Sequence, residues 1–164
     1  MDKPKLYFGC LANVYRSAMA ELIAWDYLRN KLKDTVTQVG SFGLIDVKES
    51  GPRQDLLDVC GTNGLDVSWH RPKVLLPDQV STNDIILVMD QALVRKYKRL
   101  FRLHRVFLLG GYPHHGPGDY EGPEVDDPCG EGLETLQATF KQLKFLVPRS
   151  VDYFRWAELS QRDQ

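Results

Sequence analysis

The chain has 164 residues, with 21 Lys and Arg against 22 Asp and Glu and a formal net charge of −1. That balance excludes the polybasic surface of a nucleic-acid or anionic-membrane binder, and the 43% hydrophobic content suits one domain over residues 1–164 with an adequate core. No apolar run reaches bilayer length, Met1-Asp2-Lys3-Pro4 does not read as a signal peptide, and three widely spaced cysteines form neither a disulfide framework nor a metal-ligand cluster, so a reducing cytoplasm is the expected compartment.

Lys5-Leu6-Tyr7-Phe8 reads as a short buried strand, and residues 17–33 as a helix with Ala20, Ile23, Ala24, Tyr27 and Leu28 facing the core. Asp34 marks a turn before a second strand over 35–41, and 44–52 is a loop. Pro52 introduces a second helix over 53–60, ended by Gly61 or Gly64, with Cys60 on its apolar face as a small hydrophobe. Pro77 starts a short helical turn. The apolar run 83–90 has the composition of a central parallel strand, and 91–100 is a helix whose Arg95, Lys96, Lys98 and Arg99 form a solvated basic face. A fourth strand covers 105–110. Residues 110–132 are irregular, and their His114-His115 pair fits no standard metal site, so no metal and no cofactor is expected. Residues 133–156 form a closing helical stretch with Leu136, Phe140, Leu143 and Leu146 as its buried stripe, interrupted near Pro148. Strands and helices in alternation argue for an α/β fold, a parallel sheet covered on both faces.

The chemistry concentrates between the first strand and the first helix. A loop there gathers backbone N–H groups without intrahelical partners, and with the helix dipole they make a cradle for a phosphate-like dianion. Within it, Cys10 precedes Arg16 by six positions. The thiolate is the reactive form of cysteine, and a loop that holds an anion favours it. Arg16 has the planar fork that grips two phosphoryl oxygens, and Ser17 can donate to the Cys10 sulfur. Together they describe covalent attack of Cys10 on phosphorus, followed by hydrolysis.

Cys10-Leu11-Ala12-Asn13-Val14-Tyr15-Arg16-Ser17-Ala18-Met19-Ala20-Glu21 resembles the N-terminal signature of the low-molecular-weight protein tyrosine phosphatases, Cys-x-Gly/Ala-Asn-x-Cys-Arg-Ser-Pro-Met-Ala-Glu. The resemblance covers nearly the whole chain, including Asp84-Ile85-Ile86-Leu87-Val88-Met89-Asp90 and Asp126-Asp127-Pro128. It implies a single three-layer domain with four parallel strands in the order 2-1-3-4. It also implies hydrolysis of phosphotyrosine in a protein or peptide, with residues 11–17 binding the phosphate. Asp127 matches the family's general acid, with Asp126 the competing assignment if the loop is shifted by one. By the same resemblance Ser41 and His70 support the loop, His70 orienting Asn13 or Ser41 without acting as a base.

Three departures from the family pattern bear on specificity. Val47 stands where relatives place an aromatic wall, Cys129-Gly130 follows Pro128 where relatives carry aromatic residues, and Tyr15 replaces a second cysteine. Protein-arginine phosphatases of this fold tend to carry threonine at the position of Val14, so Val14 leans toward tyrosine. Cys129 could protect an oxidised Cys10 as a disulfide, against the blander reading of an inert loop thiol. The competing functions are a non-catalytic phosphate-binding module, a phosphatase for another phosphoester, and an arsenate reductase, for which the chain lacks two further close cysteines. The phosphoprotein partner and the oligomeric state are open at this level.

Overall fold

The computed structural model describes residues 3–111 and 121–162, with side chains to 157; His114 and His115 lie outside them. Strand β1 (Leu6–Gly9) leads through a loop into helix α1 (Arg16–Asp26), which continues as a π-helical turn over Tyr27–Lys31. Strand β2 (Val39–Phe42), helix α2 (Gln54–Thr62), strand β3 (Ile85–Val88), helix α3 (Gln91–Leu100), strand β4 (Arg105–Leu108) and helix α4 (Leu133–Arg162) follow. All strands are parallel, in the order β2-β1-β3-β4, with Leu6 opposite both Val39 and Ile85. Helices cover both faces of the sheet, and α1 packs on α4. β1 and β3 are buried along their whole length, which explains their unbroken apolar sequences.

Local hydrogen bonding sets the element boundaries. The second strand starts at Val39 because the Asp34 carboxylate accepts from the N–H groups of Val36 and Thr37, both at 2.9 Å, and folds that segment into a turn. Of the two glycines expected to end α2, Gly61 stays inside the helix, which runs to Thr62 and is closed off at Gly64 (φ 75°), where the Leu65 N–H bonds the Cys60 carbonyl at 2.9 Å. Pro148 does not interrupt α4. The carbonyl it leaves without an intrahelical donor belongs to Lys144, an exposed residue within reach of water.

The sheet brings the ends of β1 and β2 against one buried tyrosine. Tyr97 on α3 donates to the Cys10 carbonyl at 2.7 Å and lies near the Phe42 carbonyl at 3.2 Å. A Cβ on Gly9 would sit 2.7 Å from the Tyr97 ring. Phe42 is fully buried against Tyr7, Tyr97 and Phe101, so it packs and does not line a site.

Gly43 and Gly61 make opposite predictions. A Cβ on Gly43 would lie 2.8 Å from the Leu11 carbonyl oxygen and 2.9 Å from the Asn13 nitrogen, both backbone atoms. Gly43→Ala is therefore expected to cost about 1–3 kcal/mol in denaturant unfolding. Gly61 meets nothing within 4 Å in a helix, so Gly61→Ala is expected to stabilise by about 0.5–1 kcal/mol.

Candidate active site

The loop between β1 and α1 turns on Asn13, which holds the left-handed conformation (φ 57°). Asparagine is one of the few side chains that tolerate it, and here the surroundings hold it there. The Asn13 amide donates to Ser17 Oγ at 2.7 Å and Ser41 Oγ at 2.9 Å, and its oxygen accepts from the Lys73 N–H at 3.1 Å. The Asn13 carbonyl accepts from His70 Nε2 at 2.7 Å. That contact assigns the tautomer, and Nδ1 is left buried with no hydrogen-bond partner among the described residues. Burial pulls the His70 imidazole below its usual value, with the Asn13 hydrogen bond opposing and Lys73 and Arg71 adding to the fall.

These contacts orient the donors around sulfur. Because Ser17 Oγ accepts from Asn13, its proton is free to point at Cys10 Sγ, 2.9 Å away. The Asn13 N–H reaches the same sulfur at 3.3 Å. No hydrogen bond among the described residues takes up the backbone N–H of Leu11, Ala12, Val14, Tyr15, Arg16 or Ser17. Such a run of amides at a helix start is the arrangement that suits an anion.

Arg16 is anchored from behind. Its Nη1 pairs with Asp90 Oδ2 at 2.8 Å and donates to the Val125 carbonyl at 2.9 Å, and its side chain is only 5% exposed. The other Asp90 oxygen caps α3, accepting from the Leu93 N–H at 2.8 Å. Arg16 Nη2 faces Asp127 Oδ2 at 3.9 Å, and half of the Asp127 side chain is open to solvent. A cavity of about 220 Å³ gathers Cys10, Arg16, Asp127 and the loop residues Leu11, Ala12, Val14 and Tyr15. Asp126 does not line it.

Val47 lines the cavity in place of an aromatic wall, joined by Ile45 and Cys129. Tyr15 also lines it, although the residue is only 6% exposed. Tyr15 is fixed there by its hydroxyl, which donates to Asp55 at 2.8 Å, and by the Arg53 guanidinium 5.5 Å from its ring centre. Arg53 is held by Glu49 and reaches Cys129 Sγ at 3.8 Å. Cys60 is fully buried, its thiol pushed up to about 12, and is remote from this chemistry.

The structure thus gathers Cys10 to Ser17 in the loop, with Ser41 and His70 bonded to Asn13 and Asp127 facing Arg16, and leaves Asp126 out of the cavity lining. Sequence reasoning missed Asp90, Tyr97 and Arg53. Asp90 carried a readable signal as an acid between an apolar strand and a helix, the place of an N-cap. Its partner is 74 residues away in sequence, which no local pattern reveals. Among the described residues no group of three or more His, Cys, Asp or Glu side chains is placed to hold a metal ion, and no helix is long and apolar enough to cross a membrane.

Comparison with known proteins points one way. The family model for low molecular weight phosphotyrosine protein phosphatases matches residues 5–160. A probable low molecular weight protein-tyrosine-phosphatase, EpsP, of Ralstonia nicotianae is 27% identical over 145 residues, which is 87% of this chain and 88% of that one. The low molecular weight protein tyrosine phosphatase from T. tengcongensis superposes with a TM-score of 0.78 at 24% identity, covering 92% of this chain and 99% of that chain. The YwlE arginine phosphatase from Geobacillus stearothermophilus does so with a TM-score of 0.77 at 20% identity, covering 96% and 97%. At these identities the two structures speak for the fold.

His70 makes the loop's support sensitive to acid. An imidazole held below its unfolded value binds fewer protons when folded, so its contribution is fully present above about pH 6.5 and is lost as pH falls further. His70→Gln keeps an amide donor for Asn13 and removes the titration. Thermal unfolding from pH 7.5 to 5 is expected to show the stability gap between wild type and His70→Gln narrowing as pH falls. A gap independent of pH would contradict the assignment.

Proposed function

Because the chain belongs to the low molecular weight phosphotyrosine protein phosphatase family, we propose that it hydrolyses phosphotyrosine in proteins through a phosphocysteine at Cys10, in a reducing compartment and without metal or cofactor. The supporting observation is the convergence of the Cys10 sulfur, the buried Arg16 guanidinium and the Asp127 carboxyl on one cavity. The phosphate dianion enters the cradle of N–H groups from residues 11–17, and Arg16 grips two of its oxygens. Cys10 Sγ attacks phosphorus in line, forming the S–P bond as the bond to the aryl oxygen breaks. Asp127 gives that oxygen its proton, so the product leaves as tyrosine. The carboxylate then takes a proton from water as the water oxygen bonds phosphorus and the S–P bond breaks. Inorganic phosphate leaves, and the thiolate and the protonated Asp127 are restored.

The ring of the substrate has Tyr15 on one side and the aliphatic Ile45 and Val47 on another. Apolar Val14 in the cavity offers nothing to a guanidinium, which favours an aryl group over the phosphoarginine that the Geobacillus protein's name implies for that protein.

Steady-state hydrolysis of p-nitrophenyl phosphate, a phosphotyrosine peptide and a phosphoarginine peptide, with chelator present, tests this. Wild type is expected to turn over both aryl substrates in preference to phosphoarginine. Cys10→Ser should be inactive, and Asp127→Ala should lose about 10²–10⁴-fold in kcat on the phosphotyrosine peptide. Asp126→Ala should stay near wild type. Wild type that binds phosphate without turnover would replace this reading with a non-catalytic module.

A further inference from the structure

A second concavity, of about 590 Å³, lies on another part of the molecule and shares no lining residue with the Cys10 cavity. One wall is a face of α1 carrying Glu21, Trp25 and Asp26, and the other is the segment after α2 with Leu65, Asp66 and Trp69. Trp25 and Trp69 are 48% and 46% exposed, an unusual state for the largest apolar side chain. Trp69 is not loose, since its indole N–H donates to the Asp66 carbonyl at 2.8 Å. Three carboxylates line the groove and no lysine or arginine does.

The carboxylates play different parts. Glu21 is buried, and burial pushes its carboxyl up, against the pull of Lys73, Ser41 and Lys5. It belongs to the protein's interior. Asp26 has one neutral partner, the Asn30 amide at 2.6 Å. Asp66 accepts from the Ser68 N–H at 2.9 Å, and Ser68 holds its carboxyl below the usual range. Two carboxylates without a cationic partner in the groove therefore stand beside two open indole faces. A guanidinium matches both surfaces, because it stacks on aromatic rings and bonds carboxylates in its plane.

Both walls run on into the supports of Asn13. Glu21 lies close enough to Ser41 for Ser41 to pull its carboxyl down against burial, and the Ser41 hydroxyl accepts from the Asn13 amide at 2.9 Å. Trp69 meets the His70 ring edge-on, centroids 5.9 Å apart, and His70 holds the Asn13 carbonyl. A ligand in this groove thus lies one residue away, through Glu21 and Trp69, from two of the contacts that hold Asn13, those of Ser41 and His70.

We propose that this groove binds an arginine-bearing peptide segment of a partner protein, the guanidinium lying against Trp25 and Trp69 and bonded to Asp26 and Asp66, and that its occupancy is felt at the Cys10 loop through Ser41 and His70. The binding needs no turnover, so it stands or falls separately from the phosphatase reading.

The test is an NMR titration of the full chain, ¹⁵N-labelled, with acetyl-Ala-Arg-Ala-Arg-Ala-amide and with the same peptide carrying citrulline in place of arginine. The expected result is a saturable shift of the Trp25 and Trp69 indole N–H signals, with the Asn13 and Ser41 amides moving at the same Kd. Affinity should fall at least tenfold for the citrulline peptide, and likewise for the surface double variant Asp26→Asn, Asp66→Asn. The Trp156 indole serves as the internal reference. No saturation, equal affinity for citrulline, or full affinity in the double variant overturns the site. Indole shifts without movement of Asn13 and Ser41 overturn the coupling.

Discussion

A guanidinium cannot be buried alone, and the arrangement around Arg16 follows from that constraint. Its counter-charge, Asp90, sits where β3 stops and α3 begins, and its two carboxylate oxygens divide the work. One pairs with Arg16 and the other caps the helix. Removing one partner of such a pair costs far more than the pair contributes, because the other is left charged in low dielectric. The third support comes from the segment before Asp127. Val125 gives its carbonyl to Arg16 and its N–H to the Met89 carbonyl at 2.8 Å, while Glu124 accepts from the Gln91 N–H at 2.7 Å. The strand end, the helix start and the acidic segment are thus registered on one side chain. That is why Asp127 faces Arg16 although more than a hundred residues separate them.

The opposite side of the cradle depends on the backbone. Amides converge on one point only if the loop reverses direction sharply, and the left-handed turn at Asn13 makes that reversal. Its cost is met by contacts from two distant segments, the Ser41 hydroxyl from one and the His70 ring with the Lys73 backbone amide from the other. Close approach is the other requirement. Gly43 lets the β2 end lie against the loop backbone, and Gly9 makes room for Tyr97, whose hydroxyl holds the Cys10 carbonyl. Stability and function therefore draw on the same contacts, and the protein has little freedom to change one without the other.

Much of this was legible from residues in order. Buried parallel strands announce themselves as unbroken apolar runs, and a cysteine and an arginine between such a strand and a helix carry a chemical meaning that survives without contacts. The acidic residue before Pro128 was readable by resemblance, and the cavity lining separates Asp127 from Asp126. What the order of residues hid was long-range or dependent on local competition. Residues 35–38 have strand composition, yet the Asp34 side chain captures their amides first. Pro148 reads as a helix breaker, but an exposed helix side tolerates one unpaired carbonyl. Tyr97 carries no local signal, because its hydroxyl partner lies 87 residues earlier. Tyr15 stood out as a departure from a pattern, and its place at the cavity depends on Asp55 and Arg53.

The central claim is that Cys10 itself carries the phosphoryl group. Acid-quenching Asp127→Ala within the first turnovers on p-nitrophenyl phosphate, whose leaving group needs little protonation, should trap that intermediate while its hydrolysis is slowed. Intact-mass spectrometry and peptide mapping are predicted to find one phosphoryl group per chain, on the peptide containing Cys10 and absent from Cys10→Ser. Turnover that proceeds with no phosphorylated Cys10 peptide at any quench time, or with the group on another residue, would contradict the account.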